Sequence, residues 1–205
     1  MRRVREVTEE VARWVFEVHV EHLPNWQIAF TNPTAGPWKL VVGRNENGVP
    51  GEVHRFERES ERPDLIIYSD QQQIVLIIEA KGAVEDLTRS KQTQKSVNVV
   101  AELTKILRSK RASHYWGKRA DYTYLTAVLW GSESLTHPQK VHSVLATYDT
   151  ACEEADLATP ILGIESLREE GGDEIVCLGH TLAPTKAVRK GLTVAQALES
   201  LGLRG

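Results

Sequence analysis

Short, fully apolar runs alternate along the chain with longer stretches in which apolar residues recur every three or four positions. That pattern predicts strands interleaved with helices. Leu65 to Tyr68 and Ile74 to Ile78 are β-branched, Leu or aromatic at almost every position. Such runs suit strands covered on both faces, in the middle of a sheet. The stretch Ser69-Asp70-Gln71-Gln72-Gln73 between them offers solvated turn residues, so the unit reads as a hairpin. Pro63 suits the first position of a strand, where no ladder donor is required.

Around this hairpin the pattern predicts further elements. Val4, Val7, Val11, Val15 and Val18 share one stripe, which predicts a helix over residues 4 to about 23, stopped at Leu23-Pro24. His19 and His22 on this helix read as satisfied core histidines. Gln27 to Thr31 and Trp38 to Gly43 read as short strands, and Val49 to Arg62 as a charged hairpin. Residues 85 to about 111 carry the longest helical pattern, with Val97, Val100, Leu103, Ile106 and Leu107 in line. Tyr122 to Trp130 is another buried-type strand, which a crossover helix would lay parallel to the Ile74 strand. A helix over Pro138 to Leu157 follows, then strands at Pro160 to Ile164 and Glu174 to Leu178. Thr193 would cap a last short helix carrying Val194, Ala197, Leu198 and Leu201. The expected fold is α/β, a central mixed β-sheet flanked by helices, in a single domain spanning 1–205.

Charge changes this picture at one place. Alternation along the second hairpin strand puts Val75, Ile77, Glu79 and Lys81 on one face, where the apolar run ends. A tight hairpin brings Asp64, at the start of the first strand, opposite that end. Two converging carboxylates repel unless a cation joins them. Hard oxygen donors of this kind suit Mg²⁺, held by one or two carboxylates with several waters retained. Lys81 beside it can orient or deprotonate an attacking water and offset charge on a pentavalent phosphate.

Pro63-Asp64, fourteen residues, then Glu79-Ala80-Lys81-Gly82 resembles the signature of the PD-(D/E)XK nuclease superfamily, the fold of most type II restriction endonucleases. The resemblance implies a restriction endonuclease-like core. It also implies that Asp64, Glu79 and the Ala80 carbonyl bind the catalytic Mg²⁺ while Lys81 acts on the water. A first-helix glutamate often joins such sites, which makes Glu10 and Glu17 candidates. The motif is confined to residues 63 to 82, and the layout extends over roughly residues 4 to 130.

Composition bounds the partners. The chain has 205 residues, 41% hydrophobic and 26% charged, with a net charge of −3. It is not a uniformly basic coat, so a DNA site must be a local basic cleft on a mildly acidic body. Two recognition elements are expected. The stretch 43–62 carries Arg55, Arg58 and Arg62 for phosphates or guanine edges. The stretch 108–119 interleaves Arg111, Lys118 and Arg119 with His114, Tyr115 and Trp116. Lys91, Gln94 and Lys95 extend a polar patch on the long helix toward the cleft. Cys152 and Cys177 lack metal spacing, and a reduced, cytoplasmic setting is the plain expectation. No apolar run reaches membrane-spanning length, and Thr8-Glu9-Glu10 stands where a signal peptide needs an apolar core.

The leading expectation is a Mg²⁺-dependent, sequence-specific endonuclease on double-stranded DNA, acting as a homodimer on a palindromic site. There is no Gly-Lys-Ser/Thr loop for ATP and no cysteine cluster for zinc. A structure-selective nuclease, such as a junction resolvase or repair nuclease, is the alternative. A non-catalytic DNA-binding or assembly protein on the same fold is the third.

Overall fold

A computed structural model describes residues 4–5, 17, 20–31, 39–56, 62–81, 90–131, 138–155, 157, 161–169 and 175–181. The strands are β1 (Val4–Arg5), β2 (Gln27–Thr31), β3 (Lys39–Arg44), β4 (Pro50–Arg55), β5 (Leu65–Ser69), β6 (Ile74–Lys81), β7 (Thr123–Gly131), β8 (Ile161–Glu169) and β9 (Ile175–Thr181). The helices are α1 (Ser90–Leu107), α2 (Lys110–Trp116) and α3 (Pro138–Glu154), with a 3-10 turn at Gly117–Asp121. Among the described residues, seven strands form one sheet in the order β1-β8-β7-β6-β5-β2, with β9 on β8, while β3 and β4 form a separate pair.

The sheet is mixed. β5 and β6 are antiparallel, β6 and β7 parallel, β7 and β8 parallel, and β9 returns antiparallel to β8. The fold is therefore the expected α/β arrangement, with the β6–α1–α2–β7 crossover laying its two strands side by side. β6 is buried because it has a neighbour on each edge and a layer on each face. Val75, Leu76, Ile77 and Ile78 are all fully buried. Ile66, Val75 and Ile77 pack with Val97, Val100, Leu103 and Leu107 of α1 and with Tyr148 of α3. On the other face Leu65, Ile67, Leu76 and Ile78 pack with Val20 and Trp26. Apolar side chains alternating across two covered faces drive this layering, each contributing roughly 1.5–3 kcal/mol.

Several expected boundaries move. The first helix does not reach back to residue 4, because Val4–Arg5 pairs antiparallel with Glu169 and Arg168 of β8. Residues 17, 20 and 21 are helical as expected. The long helix ends at Leu107 rather than 111. Ser109 takes an extended conformation (φ −69°, ψ 157°), and its hydroxyl accepts the Ala112 amide, so it caps a new helix. β8 runs on past Ile164 to Glu169 and β9 past Leu178 to Thr181, because their ladder is made by backbone groups and pairs Leu162–Arg168 with Thr181–Ile175. The last helix, at residues 193–201, lies outside the described residues.

Tyr115 of α2 anchors the β3–β4 pair. A Cβ on Gly51 would fall 2.3–2.6 Å from the Tyr115 side chain. At Gly43, where φ is +63°, a Cβ would meet the Tyr115 carbonyl oxygen at 2.4 Å. Gly51→Ala should therefore cost about 1–3 kcal/mol by overpacking, measured by urea unfolding. Adding Tyr115→Ala should relieve part of that loss; costs that simply add would refute the contact.

Candidate active site

The sequence places chemistry at the open end of the β5–β6 hairpin, and register determines how it meets. Leu65 pairs with Ile78, so Asp64 stands opposite Glu79 one step further on. The Asp64 amide donates to the Ile78 carbonyl at 3.1 Å, and Asp64 Oδ2 accepts the Ala80 amide at 2.6 Å. The chain thus continues the ladder through a carboxylate, which fixes one oxygen of Asp64. Its side chain is buried, at 7% exposure.

Glu79 and Lys81 leave the strand on the face covered by α1 and α3. Lys81 Nζ lies 2.6 Å from Glu79 Oε1 and 2.7 Å from the Ala80 carbonyl oxygen. Both side chains are only 14% exposed. Poor solvation strengthens this pair and raises the cost of losing either member. Three hard oxygen sources, the two carboxylates and the Ala80 carbonyl, are the groups that could hold a divalent cation. The ammonium already brings two of them to one positive point, so the donor set fits such an ion chemically. Lys81 itself rests on Glu79 Oε1 and the Ala80 carbonyl oxygen.

Among the described residues no group of three His, Cys, Asp or Glu side chains gathers. Glu17 therefore does not complete a three-acid site. It accepts a hydrogen bond from Thr31 Oγ1, and Thr31 pairs with Leu65. Helical Glu17 thus reaches the end of β2, the strand that pairs with β5 beside Asp64. Glu10 lies outside the described residues.

Two residues that the sequence pattern passed over reach the site. Ser96 of α1 is buried, at 4% exposure, and its hydroxyl is 3.4 Å from Glu79 Oε1. Tyr148 of α3 is fully buried, and its hydroxyl has no hydrogen-bond partner at full bonding geometry. Burial first, then the Glu79 carboxylate, holds its phenol well above the ordinary value, with Asp64 adding to the effect. Ser96 was legible as a polar residue one turn before Val100 on the apolar stripe. Tyr148 looked like core, and nothing in the sequence marked where its hydroxyl points.

The expected DNA contacts are dispersed. Arg55 is exposed, with Nε 3.1 Å from Glu52, whose other oxygen holds Lys39 at 2.7 Å. Arg58 lies outside the described residues. Arg62 is buried, at 6% exposure, so it does not stand on the surface as a phosphate contact would. Lys91 lies in the first turn of α1. Gln94 and Lys95 are exposed, with Gln94 bonded to Asn98. The helix face turned toward Glu79 instead carries Ser96, so the polar patch is rotated from its expected phase.

The segment 108–119 lies at the other end of the hairpin. Glu79 is five residues beyond Ile74, roughly 17 Å at about 3.3 Å per residue. Arg111 donates to the Glu52 carbonyl at 2.9 Å, and Trp116 is buried with its indole on Tyr124 Oη at 3.1 Å. Burial pushes the Tyr124 phenol up to about 12. Arg119 makes two 2.6 Å bonds to Asp70 and stacks over Tyr68 at 4.4 Å. These internal partners absorb the arginines of the cluster; Lys118 is exposed.

The Asp70–Arg119 pair has a pH signature. The guanidinium holds the Asp70 carboxyl below its usual range. A depressed folded value means that the stabilisation is present above the unfolded value of about 3.9 and fades as pH falls through the folded one. The melting temperature of the wild type should exceed that of Asp70→Asn at pH 7. That gap should close below about pH 4; a gap unchanged at pH 3 would count against the pair.

No family model, no curated protein and no solved structure matches this chain. Among the described residues, no helix is long and apolar enough to cross a membrane.

Proposed function

We propose that this chain is a Mg²⁺-dependent endonuclease that hydrolyses phosphodiester bonds in double-stranded DNA, in the manner of a type II restriction endonuclease on a PD-(D/E)XK core. The observation that carries this reading is the meeting of Asp64, Glu79, the Ala80 carbonyl and Lys81 at one sheet end, with the ammonium 2.6 Å from Glu79. A cation, two carboxylates and a carbonyl at one poorly solvated point suit in-line attack of water on phosphorus.

Asp64, Glu79 and the Ala80 carbonyl would hold Mg²⁺, which would supply charge against the phosphate oxygens and make water more acidic. The chain's own groups do the rest. The Ala80 amide keeps Asp64 turned inward, and antiparallel register keeps Glu79 opposite it. Lys81, held at Glu79 Oε1, would orient the attacking water and offset the charge that develops on the phosphate. Paired cuts on both strands would call for two copies about a two-fold axis.

A structure-selective nuclease is the second reading, and a specific observation favours it. Arg111 and Arg119 are held by internal partners and Arg62 is buried, which reduces the arginines available for base readout. Recognition would then rest on shape and backbone charge.

The test uses purified protein with plasmid, phage DNA and four-way junctions, in Mg²⁺ and in EDTA. Discrete bands from linear DNA support restriction, and cutting confined to junctions supports the second reading. Binding without cutting in Mg²⁺ or Mn²⁺ would overturn both in favour of a non-catalytic DNA-binding protein.

A further inference from the structure

A buried polar group without a partner is costly, by about 1–3 kcal/mol, and asks for a reason. The Tyr148 hydroxyl is fully buried and makes no hydrogen bond at full geometry. It belongs to α3, yet it lies within electrostatic reach of Glu79 and Asp64 on the hairpin and is influenced by the Ser96 hydroxyl of α1. Ser96 in turn stands 3.4 Å from Glu79 Oε1. Ser96 thus meets the carboxylate oxygen that also receives Lys81, and Tyr148 stands next to Ser96.

We infer that Ser96 and Tyr148 are positioning residues for Glu79: the serine hydroxyl donates to Glu79 Oε1 and accepts from the Tyr148 hydroxyl. The inference rests on the metal-dependent reading of the site and extends it to residues outside the motif. A hydroxyl is suited to this place because it donates and accepts at once. The 3.4 Å separation is long, as hydrogen bonds at such sites commonly are before metal and substrate draw them together. By fixing one oxygen of Glu79, the relay sets the direction in which the carboxylate would meet a divalent cation. Partners of this kind behind a metal ligand typically change affinity or activity 10–100-fold, roughly, when removed.

Mg²⁺ binding to the full chain without DNA, followed by isothermal titration, tests this beside melting in EDTA. Ser96→Ala and Tyr148→Phe each remove one oxygen and add no bulk. Ser96→Ala should weaken Mg²⁺ binding by about 10–100-fold and Tyr148→Phe by about 10-fold. Tyr148→Phe should melt in EDTA close to the wild-type temperature, because without metal its hydroxyl makes no hydrogen bond at full geometry. A role in packing alone would not separate stability from metal affinity in this way. The double variant should bind no more weakly than Ser96→Ala, since one relay is already broken. Variants that titrate like the wild type, or losses that add, would overturn the relay while leaving the acidic site standing. A wild type that takes up no Mg²⁺ would overturn the reading beneath it, and the relay with it.

Discussion

Replacing Lys81 with methionine should cut DNA cleavage steeply while leaving Mg²⁺ binding intact or tighter. The ammonium rests 2.6 Å from Glu79 Oε1 and 2.7 Å from the Ala80 carbonyl, on the oxygens a divalent ion would share. Deleting it removes a competitor for those oxygens and leaves two carboxylates facing each other with less compensation. Stability in EDTA should therefore fall, and Mg²⁺ should restore it by a larger melting shift than in the wild type. Cleavage at saturating Mg²⁺ should drop about 10²–10³-fold, the range for removing one preorganised charge donor. Cleavage and metal affinity falling together would place Lys81 in the ligand scaffold rather than in the chemistry.

Glu79→Gln should act in the other direction, weakening the metal and the reaction together. The amide retains size but loses charge, and it leaves the Lys81 ammonium, 14% exposed, without its close counter-charge. Loss of one carboxylate ligand should lower cleavage by about 10³-fold at fixed Mg²⁺, equivalent to roughly 4 kcal/mol. Raising Mg²⁺ should recover part of that loss. A rate unaffected by the substitution would remove Glu79 from the site.

The hairpin and its acids were legible because strand periodicity is strict. Once Leu65 to Tyr68 and Ile74 to Ile78 are recognised as buried strands, the face of Glu79 and Lys81 and the position of Asp64 follow from alternation and register. The crossover to β7 followed from the length of the intervening helix. Partners across long sequence separations were not legible. Arg119 reads as a surface cation until Asp70, forty-nine positions away, is seen to hold it. Arg111 likewise meets the Glu52 carbonyl fifty-nine positions back. Charge density predicts a solvated face or a ligand site equally well, and only packing decides between them. Tyr115 illustrates the same point, since its place depends on two glycines of another sheet.

The phase of α1 was half read. The stripe from Val97 to Leu107 was correct and buries against the sheet. Carried back along the same line it reaches Thr93 and Ser96, both buried, while Gln94 and Lys95 turn outward. The first helix was misread at its start because two residues, Val4 and Arg5, give too little pattern to reveal pairing with a strand more than 160 positions later.

Strand breakage in supercoiled plasmid, followed across a Mg²⁺ titration for the wild type and Asp64→Asn, tests the central claim most directly. The asparagine oxygen can still accept the Ala80 amide, so the hairpin end should persist while one negative charge is lost. The wild type should nick or linearise the plasmid in proportion to Mg²⁺ and stop in EDTA, with the variant silent throughout. Equal breakage by both proteins, or none by the wild type with any divalent ion, would contradict the account.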